Sequence, residues 1–398
     1  MLLEIVIAIL AGIVAGTISG LLPGIHINLV ATVLFINSSL FLGLTSPLIL
    51  ASFIIAMSIT HTFIDFIPSI FLGAPNEDTA LSILPGHRML LKGKGFEAVK
   101  LTTIGCFFGL LVSLILALFF IETAPLFYPY LEEYMVFILI GISLLLLATE
   151  KRKIPALFIF ILAGFLGYAT LNFTMLGQSL FPLFTGLFGT SLLFMSFFQN
   201  VKIPKQKIEK TRTSKKELLI ALLLSIFSSS LVSFFPGVGS AQAATISSIF
   251  KKISEKTFLI LLGEINIIVL VLSFVALYAI RKPRTGVAVF VGKFLPNISL
   301  ENLWFLLLIA VLAGIISLFL TIFLAKRFTR IVSKVKYKWL CLFISIFLII
   351  LTPIISGWFG LLILLVSTSL GILCSLLNVK KIFLMGCLLL PVIIFYIL

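Results

Sequence analysis

The stretch Gly20-Leu-Leu-Pro23-Gly24-Ile-His26-Ile-Asn28-Leu-Val-Ala-Thr32 decides how this chain folds, because a degenerate copy returns as Phe235-Pro236-Gly237-Val-Gly239-Ser240-Ala-Gln242-Ala-Ala-Thr245. Both copies follow an apolar run of helix length and carry a Pro-Gly pair. Pro-Gly interrupts the helical hydrogen-bond ladder, which is tolerated at membrane depth only where protein or a water-filled cavity satisfies the freed groups. Two such breaks in matching halves predict a substrate site between the halves.

The composition assigns the chain to the membrane. It is 61% hydrophobic and 11% charged, with a mean hydropathy of +1.28, whereas soluble proteins are about half apolar and a quarter charged. Apolar segments long enough to cross a bilayer recur along the whole length. The sequence therefore predicts an all-α integral membrane protein with about 10–12 transmembrane helices plus re-entrant or broken helices.

The basic residues predict a topology. A net charge of +15 suggests nucleic acid in a soluble protein, but here Lys and Arg lie in short loops beside apolar runs, as the positive-inside rule requires. No nucleic-acid partner is expected. The basic segment 88–100 is predicted to be cytoplasmic, and segment 122–133, with three acids and no Lys or Arg, extracytoplasmic. Alternation places both termini outside a multi-pass protein of the cytoplasmic membrane.

The order of elements occurs twice. Residues 1–200 form a first membrane repeat, residues 201–216 a basic cytoplasmic linker, and residues 217–398 a second membrane repeat. The loop charges give the two repeats opposite orientations, which is the inverted-topology arrangement of many secondary transporters. Channels and scramblases share this symmetry, so it indicates passage of a substrate without naming the mechanism.

The first repeat holds the densest polar cluster. His61 and Asp65 are four residues apart on one helical face, where the carboxylate can orient the imidazole. They form either a proton-coupling pair, a cation site or a satisfied structural pair between helices. Downstream, Asn76 or Asp78 can cap a helix that restarts after Pro75, and Glu77 and Asp78 either couple a cation or lie near water as caps.

The second repeat replaces this acidity with positive charge. Aligning Pro75 with Pro283 sets the acidic break against Arg281-Lys282-Pro283-Arg284-Thr285. Arg284 suits a carboxylate or phosphate because its guanidinium fork matches those groups; the alternative is contact with lipid headgroups at the interface. Upstream, Glu264 and Asn266 are polar residues in apolar sequence, as a coupling pair or as hydrogen-bonding partners in helix packing.

These motifs define two predicted sets of site residues. The substrate-binding set is Pro23, Gly24, His26, Asn28, Pro75, Asn76, Pro236, Gly237, Ser240, Gln242, Arg281, Arg284 and Thr285. The ion-coupling set is His61, Asp65, Glu77, Asp78, Glu264 and Asn266.

The motifs of common enzymes are absent from the sequence. There is no Gly-x-Ser-x-Gly, no phosphate-binding loop ending in Gly-Lys-Ser/Thr and no His-Glu-x-x-His, and the chain has three histidines. We therefore expect no enzyme activity, no catalytic residues and no metal site, and no cofactor other than Na⁺ or H⁺ as a coupling ion.

Three stretches resemble the TctA family, the large membrane subunit of the tripartite tricarboxylate transporters, and especially its stand-alone archaeal relatives. They are Gly20 to Gly24, the segment Ile67 to Glu77 with Leu84-Pro85-Gly86-His87-Arg88-Met89-Leu90-Leu91-Lys92-Gly93-Lys94-Gly95, and Phe235 to Gly239. The second stretch is the most specific. In the second repeat the chain departs from the family pattern, because Glu264-Ile-Asn266 holds a single Asn where the family pairs two.

The resemblance implies a secondary transporter of di- or tricarboxylates, coupled to Na⁺ or H⁺. It also implies partners, namely a small membrane subunit and an extracytoplasmic binding protein, and leaves a homodimer open. The alternative is a translocase for an anionic polyprenyl-phosphate lipid, since similar Pro-Gly repeats in the membrane handle such carriers. A cationic pocket open sideways to lipid would favour that alternative over an enclosed aqueous site.

Overall fold

A computed structural model describes residues 2–22, 45–73, 83–198, 203–208, 213–235, 238–250, 253–332, 334 and 337–397. These residues form helices and no β-strand. The helices are α1 (Leu2–Leu21), α2 (Pro47–Ile64), α3 (Phe66–Leu72), α4 (Ile83–Leu91), α5 (Gly95–Glu133), α6 (Met135–Ala148), α7 (Lys153–Leu171), α8 (Leu180–Phe184), α9 (Ser191–Phe198), α10 (Lys215–Val232), α11 (Ser240–Phe250), α12 (Glu255–Ile280), α13 (Gly286–Phe294), α14 (Leu300–Val332), α15 (Tyr337–Ser356), α16 (Trp358–Leu376) and α17 (Gly386–Ile397). A π-helix, Thr185–Thr190, joins α8 to α9, and a 3₁₀-helix, Lys381–Met385, precedes α17.

The described helices confirm the predicted fold class. Nine of the helical stretches in this part of the chain are long and apolar enough to cross a membrane, and the shorter apolar helices Met135–Ala148 and Lys381–Ile397 accompany them. Their outward faces carry large exposed apolar side chains, such as Ile115, Phe319 and Leu365. That pattern suits contact with lipid rather than water. The protein is an all-α, multi-pass membrane protein.

Local sequence explains where several helices begin. Ser46 accepts a hydrogen bond from the Ile49 amide at 3.4 Å and is followed by Pro47 at the first helical position of α2. Ser214 and Glu217 form a reciprocal capping box at the start of α10. Such caps satisfy amide groups that have no partner inside the helix.

The prediction of an extracytoplasmic loop at Glu122–Glu133 is wrong in one respect. These residues continue α5, which runs unbroken in secondary structure to Glu133 although it contains Pro125 and Pro129. Contacts of the final turns with the second half of the chain, described below, hold the helix together. Charge counting therefore did not predict the helical conformation of this segment, and its extracytoplasmic placement stays a prediction.

Two close helix contacts organise the core. α5 packs along α12, and α1 packs along α2. At the first contact, a Cβ atom on Gly105 would overlap the carbonyl of Ile260, and one on Gly263 would overlap the carbonyl of Thr102. Small residues thus let the α5 and α12 backbones touch, as is common between membrane helices.

The remaining helices build on this core from both directions. α14, from the second half, packs against α2 of the first, where the Ser317 hydroxyl donates to Thr60 Oγ1 at 2.9 Å. A separate hydrophobic cluster joins α7, the π-helix, α16, the 3₁₀-helix and α17. The described chain thus has an interlocked core and a peripheral helical group.

Candidate transport site

Asp65 lies at a junction between two helices. α2 ends at Ile64 and α3 begins at Phe66, with the Asp65 amide donating to the His61 carbonyl at 2.9 Å. One turn earlier, His61 places Nδ1 3.0 Å from the hydroxyl of Ser19 on α1. His61 is 2% and Asp65 7% exposed. The α1–α2 contact therefore buries both predicted residues and adds Ser19 to them.

Glu264 and Asn266 lie inside α12. They are 1% and 5% exposed, and the hydroxyl of Ser225 on α10 faces the Glu264 carboxylate. Among the described residues, Glu264 Oε2 and Asn266 Oδ1 have no hydrogen-bond partner. Burying such groups without hydrogen bonds is costly. A role in helix packing alone therefore does not explain Glu264 and Asn266.

Cys106 on α5 connects these two clusters. Its thiol points toward the carbonyl of Thr62, three residues before Asp65, at 4.0 Å. On the same face of α5, the absence of a side chain at Gly109 brings that helix against the Glu264 backbone. One acid from each half of the chain thus faces the same short segment of α5.

The cationic break after α12 folds back toward the core. Arg281 closes α12 in the left-handed conformation, with φ of 57°, and its Nη1 donates to the Pro296 carbonyl at 3.0 Å. Between Arg281 and Pro296 in the sequence, the Arg284 and Thr285 amides both donate to Ser273 Oγ at 2.8 Å. Ser273 precedes the end of α12 by about 10 Å along the axis. The middle of the segment therefore lies deeper than either end.

Thr285 is the N-cap of α13 and lies beside Ser273, at the deeper part of the segment. Its side chain accepts from the Ala288 amide at 3.3 Å, as an N-cap. A helix N-terminus carries partial positive charge. The N-terminus of α13 thus faces inward, beside Ser273 on the helix that also carries Glu264.

The cationic side chains point the other way, to the end of α5. Arg284 Nη2 donates to the Tyr128 hydroxyl at 2.6 Å, and the guanidinium lies 5.2 Å from the ring centroid. Lys282 forms an ion pair with Glu132, and this hydrogen bond raises the pKa of the Lys282 ammonium, which lies in the loop after α12. Tyr128 is about 22 residues, or roughly 33 Å, along α5 from Cys106. The side chain of Arg284 is therefore remote from the two acids.

The start of α11 carries the remaining described residues of the substrate-binding set. Ser240 and Gln242 are 2% and 0% exposed. Gln242 Oε1 accepts from the Gly239 amide at 2.9 Å, whereas its Nε2 has no partner in the part of the chain that the structure describes. The buried amide thus anchors the chain where it restarts as a helix.

Other predicted site residues lie outside the described residues. They are Pro23, Gly24, His26, Asn28, Pro75, Asn76, Glu77, Asp78, Pro236 and Gly237. Within the described ranges, no group of three or more His, Cys, Asp or Glu side chains is arranged to hold a metal ion.

Sequence reasoning missed five contributing residues: Ser19, Cys106, Tyr128, Ser225 and Ser273. Ser273 had a signal, because the alignment of Pro75 with Pro283 places it opposite Asp65. The others come from distant helices, and single-sequence patterns do not report such contacts.

Comparison with known proteins gives a family. The model of the Tripartite tricarboxylate transporter TctA family matches residues 6–386. An uncharacterized protein of Methanocaldococcus jannaschii is 33% identical over 335 residues, which cover 82% of this chain and 81% of that protein. No solved structure matches. The match extends over nearly the whole set of helices described above, and the chain belongs to the Tripartite tricarboxylate transporter TctA family.

Proposed function

We propose that the protein is a secondary active transporter that moves a di- or tricarboxylate across the cytoplasmic membrane, driven by Na⁺ or H⁺. Family membership supports a transport role for tricarboxylates. The observation that carries the coupling proposal is the burial of Asp65 and Glu264, one from each half, against the same segment of α5. Buried acids at membrane depth commonly bind the coupling ion.

Glu264 supports ion coupling most directly. Its Oε2 has no hydrogen-bond partner among the described residues. An ionised carboxylate there therefore requires a bound cation, and without one the group takes up a proton and becomes neutral. Asp65 is the counterpart in the first half, and Glu77 and Asp78 remain further candidates from the sequence.

The substrate anion is proposed to bind at the helix restarts. In the second half, the inward N-terminus of α13 supplies positive potential next to Ser273. We assign the corresponding restart after Pro75, and the Pro-Gly motifs at 23–24 and 236–237, to the same site. Arg284 would contribute if the substrate enters past Tyr128, where its guanidinium now lies.

Reciprocal contacts support two inverted repeats with re-entrant segments. α5 of the first half packs on α12 of the second, while α14 of the second packs on α2 of the first. The short helices follow the same rule, with α4 against α12 and α13 against α2. Segment 281–296, whose ends meet through Arg281 and Pro296 while its middle reaches Ser273, is the re-entrant element of the second repeat.

Partners follow from the family. The family description names a tripartite transporter, so we propose that a small membrane subunit and an extracytoplasmic binding protein can assist this chain. None of the contacts described favours the polyprenyl-phosphate alternative, and we do not propose it.

Uptake by the purified protein in liposomes tests the proposal. Labelled citrate, malate and succinate are offered under an imposed Na⁺ or pH gradient, and binding is followed separately by the ligand-induced rise in Tm. We expect gradient-driven accumulation of at least one carboxylate. A well-folded protein that neither binds nor accumulates any of them, with or without a gradient, contradicts the proposal.

Two Glu variants on α12 separate coupling from general damage. Glu264→Gln should abolish gradient-driven accumulation while substrate exchange at equal concentrations continues. Glu255→Gln is the matched control, because Glu255 is partly exposed and pairs with Arg88 and Lys92 at 3.5 Å, contacts worth about 0–1 kcal/mol. Unchanged accumulation in Glu264→Gln would remove Glu264 from the coupling mechanism.

A further inference from the structure

Two basic segments, distant in sequence, meet at one end of the peripheral helical group. The first is Lys151-Arg152-Lys153 at the start of α7, and the second is Lys380-Lys381 after α16. Arg152 Nη1 donates to the Leu377 carbonyl at 3.1 Å, and Lys380 Nζ lies 3.4 Å from Glu150 Oε2. The fold therefore brings two basic segments with five cations together, and the acid Glu150 pairs with one of them, Lys380.

The positive charges of this basic cluster exceed the single negative charge of Glu150 within the described structure. The Glu150 side chain is 6% exposed and that of Lys380 is 54% exposed, so the carboxylate lies beneath the surface and the cations lie above it. Lys151, Arg152 and Lys153 are exposed. Their side chains reach the outside with donors available to a ligand.

Lys381 adds a positive charge beneath the exposed cations. Its Nζ donates to Ser191 Oγ at 3.0 Å, directly after the π-helix, and the residue is half-buried. No acidic side chain within the described residues forms an ion pair with it. An ammonium with little solvent screening projects its potential farther than an exposed one.

Lipid-facing apolar side chains adjoin this basic cluster. Ile154, Leu157 and Phe158 on α7 are 83%, 43% and 52% exposed, and Leu376 at the end of α16 is 63% exposed. Cations directly above an exposed apolar helix face match a lipid whose headgroup is anionic and whose chains extend along the helices. A soluble anion would use only the charges.

We propose that Lys151, Arg152 and Lys380 bind the phosphate of an anionic membrane lipid, with Lys381 strengthening the site electrostatically from beneath. The lipid lies at the surface predicted to be cytoplasmic, and it fastens the start of α7 to the end of α16. The site is separate from the carboxylates on α5 and α12 and does not depend on the proposed transport reaction.

Native mass spectrometry of the detergent-purified full chain tests the site. The probes are short-chain phosphatidylglycerol, short-chain phosphatidylcholine and inorganic phosphate. Each Lys or Arg removed near an anionic headgroup should weaken binding about fivefold, so Arg152→Gln/Lys380→Gln should bind phosphatidylglycerol roughly 25-fold more weakly. Phosphatidylcholine should bind weakly to every variant.

A basic pair elsewhere provides the control. Arg88 and Lys92, also predicted to be cytoplasmic, are already paired with Glu255 at 3.5 Å, so Arg88→Gln/Lys92→Gln should leave phosphatidylglycerol affinity within about twofold. Lys381→Met, in a variant of unchanged Tm, should weaken binding without removing a surface contact. Equal losses in the two double variants, or no loss in Arg152→Gln/Lys380→Gln, would overturn the proposal. Displacement of the lipid by millimolar inorganic phosphate would instead assign the cluster to a soluble anion.

Discussion

Gly105→Ala is the sharpest test of the core because the contact it disturbs is between backbones. A Cβ at Gly105 would overlap the carbonyl of Ile260, so α5 and α12 must separate or slide. Overpacking of this kind typically costs about 1–3 kcal/mol, against a gain of up to about 1 kcal/mol from replacing a helical Gly with Ala. We expect net destabilisation of roughly 1–2 kcal/mol.

Thermal unfolding in detergent, followed by intrinsic fluorescence, measures this cost. A loss of 1–2 kcal/mol should lower Tm by roughly 1–3 °C for a chain of this length. Gly141→Ala on α6 is the matched control, because no described atom beyond the backbone of its own helix lies within 4 Å of a Cβ there, and its Tm should be unchanged or slightly raised. If the two variants melt together, close backbone packing of α5 on α12 is not what holds the halves in place.

Three further predictions concern the site. Ser273→Ala removes the acceptor of two amides and should lower the free energy of unfolding by about 2–4 kcal/mol. Ser367→Ala is the control and should cost little, because the Ser367 hydroxyl has no partner among the described residues. Equal Tm values for the two variants would contradict the anchoring role of Ser273. Arg284→Ala should weaken carboxylate binding in protein that remains folded, and Tyr128→Phe, which removes the same 2.6 Å contact, should alter that affinity too. Wild-type binding constants in both variants would exclude Arg284 from the site. Asp65→Asn should make uptake independent of the ion gradient, so unchanged gradient dependence rules out Asp65 as a coupling residue.

The sequence predicts the fold class well because the bilayer imposes strong constraints. Backbone groups in lipid must be satisfied within helices, so long apolar runs have few conformations open to them. Helix ends are harder. Segment 122–133 has the acids and prolines of a loop, yet α5 includes it because Tyr128 and Glu132 contact Arg284 and Lys282 from the other half. Such a contact is tertiary, and local composition does not contain it.

The candidate site shows the same division. His61, Asp65, Glu264 and Asn266 attract notice because polar residues in apolar sequence are expensive, and the structure buries all four. Their grouping depends on Cys106, an ordinary apolar-helix residue whose importance comes from the glycines beside it. Among the described residues, the carboxylates lie near Cys106 and the Arg284 guanidinium lies near Tyr128, because the Arg284 side chain turns away from its own backbone anchor at Ser273.

The helices that precede the two breaks end in the same backbone conformation, whereas the sequences of the breaks differ in charge, and this difference bears on mechanism. Gly73, the residue after α3, has φ of 65°, and Arg281, the residue after α12, has φ of 57°. Both helices therefore end in the left-handed conformation. A non-glycine residue in that conformation is uncommon and needs compensation, which Arg281 receives from the Pro296 carbonyl. Opposite the Ser273 anchor, the first half carries Asp65. On the proposed inverted-repeat relation, the first break therefore presents negative charge where the second presents a neutral hydroxyl and a helix N-terminus. We infer that the halves divide the task, with the first break attracting the coupling cation and the second the substrate anion, so that neutralising Asp65 alters ion dependence more than anion affinity and substituting Ser273 does the reverse.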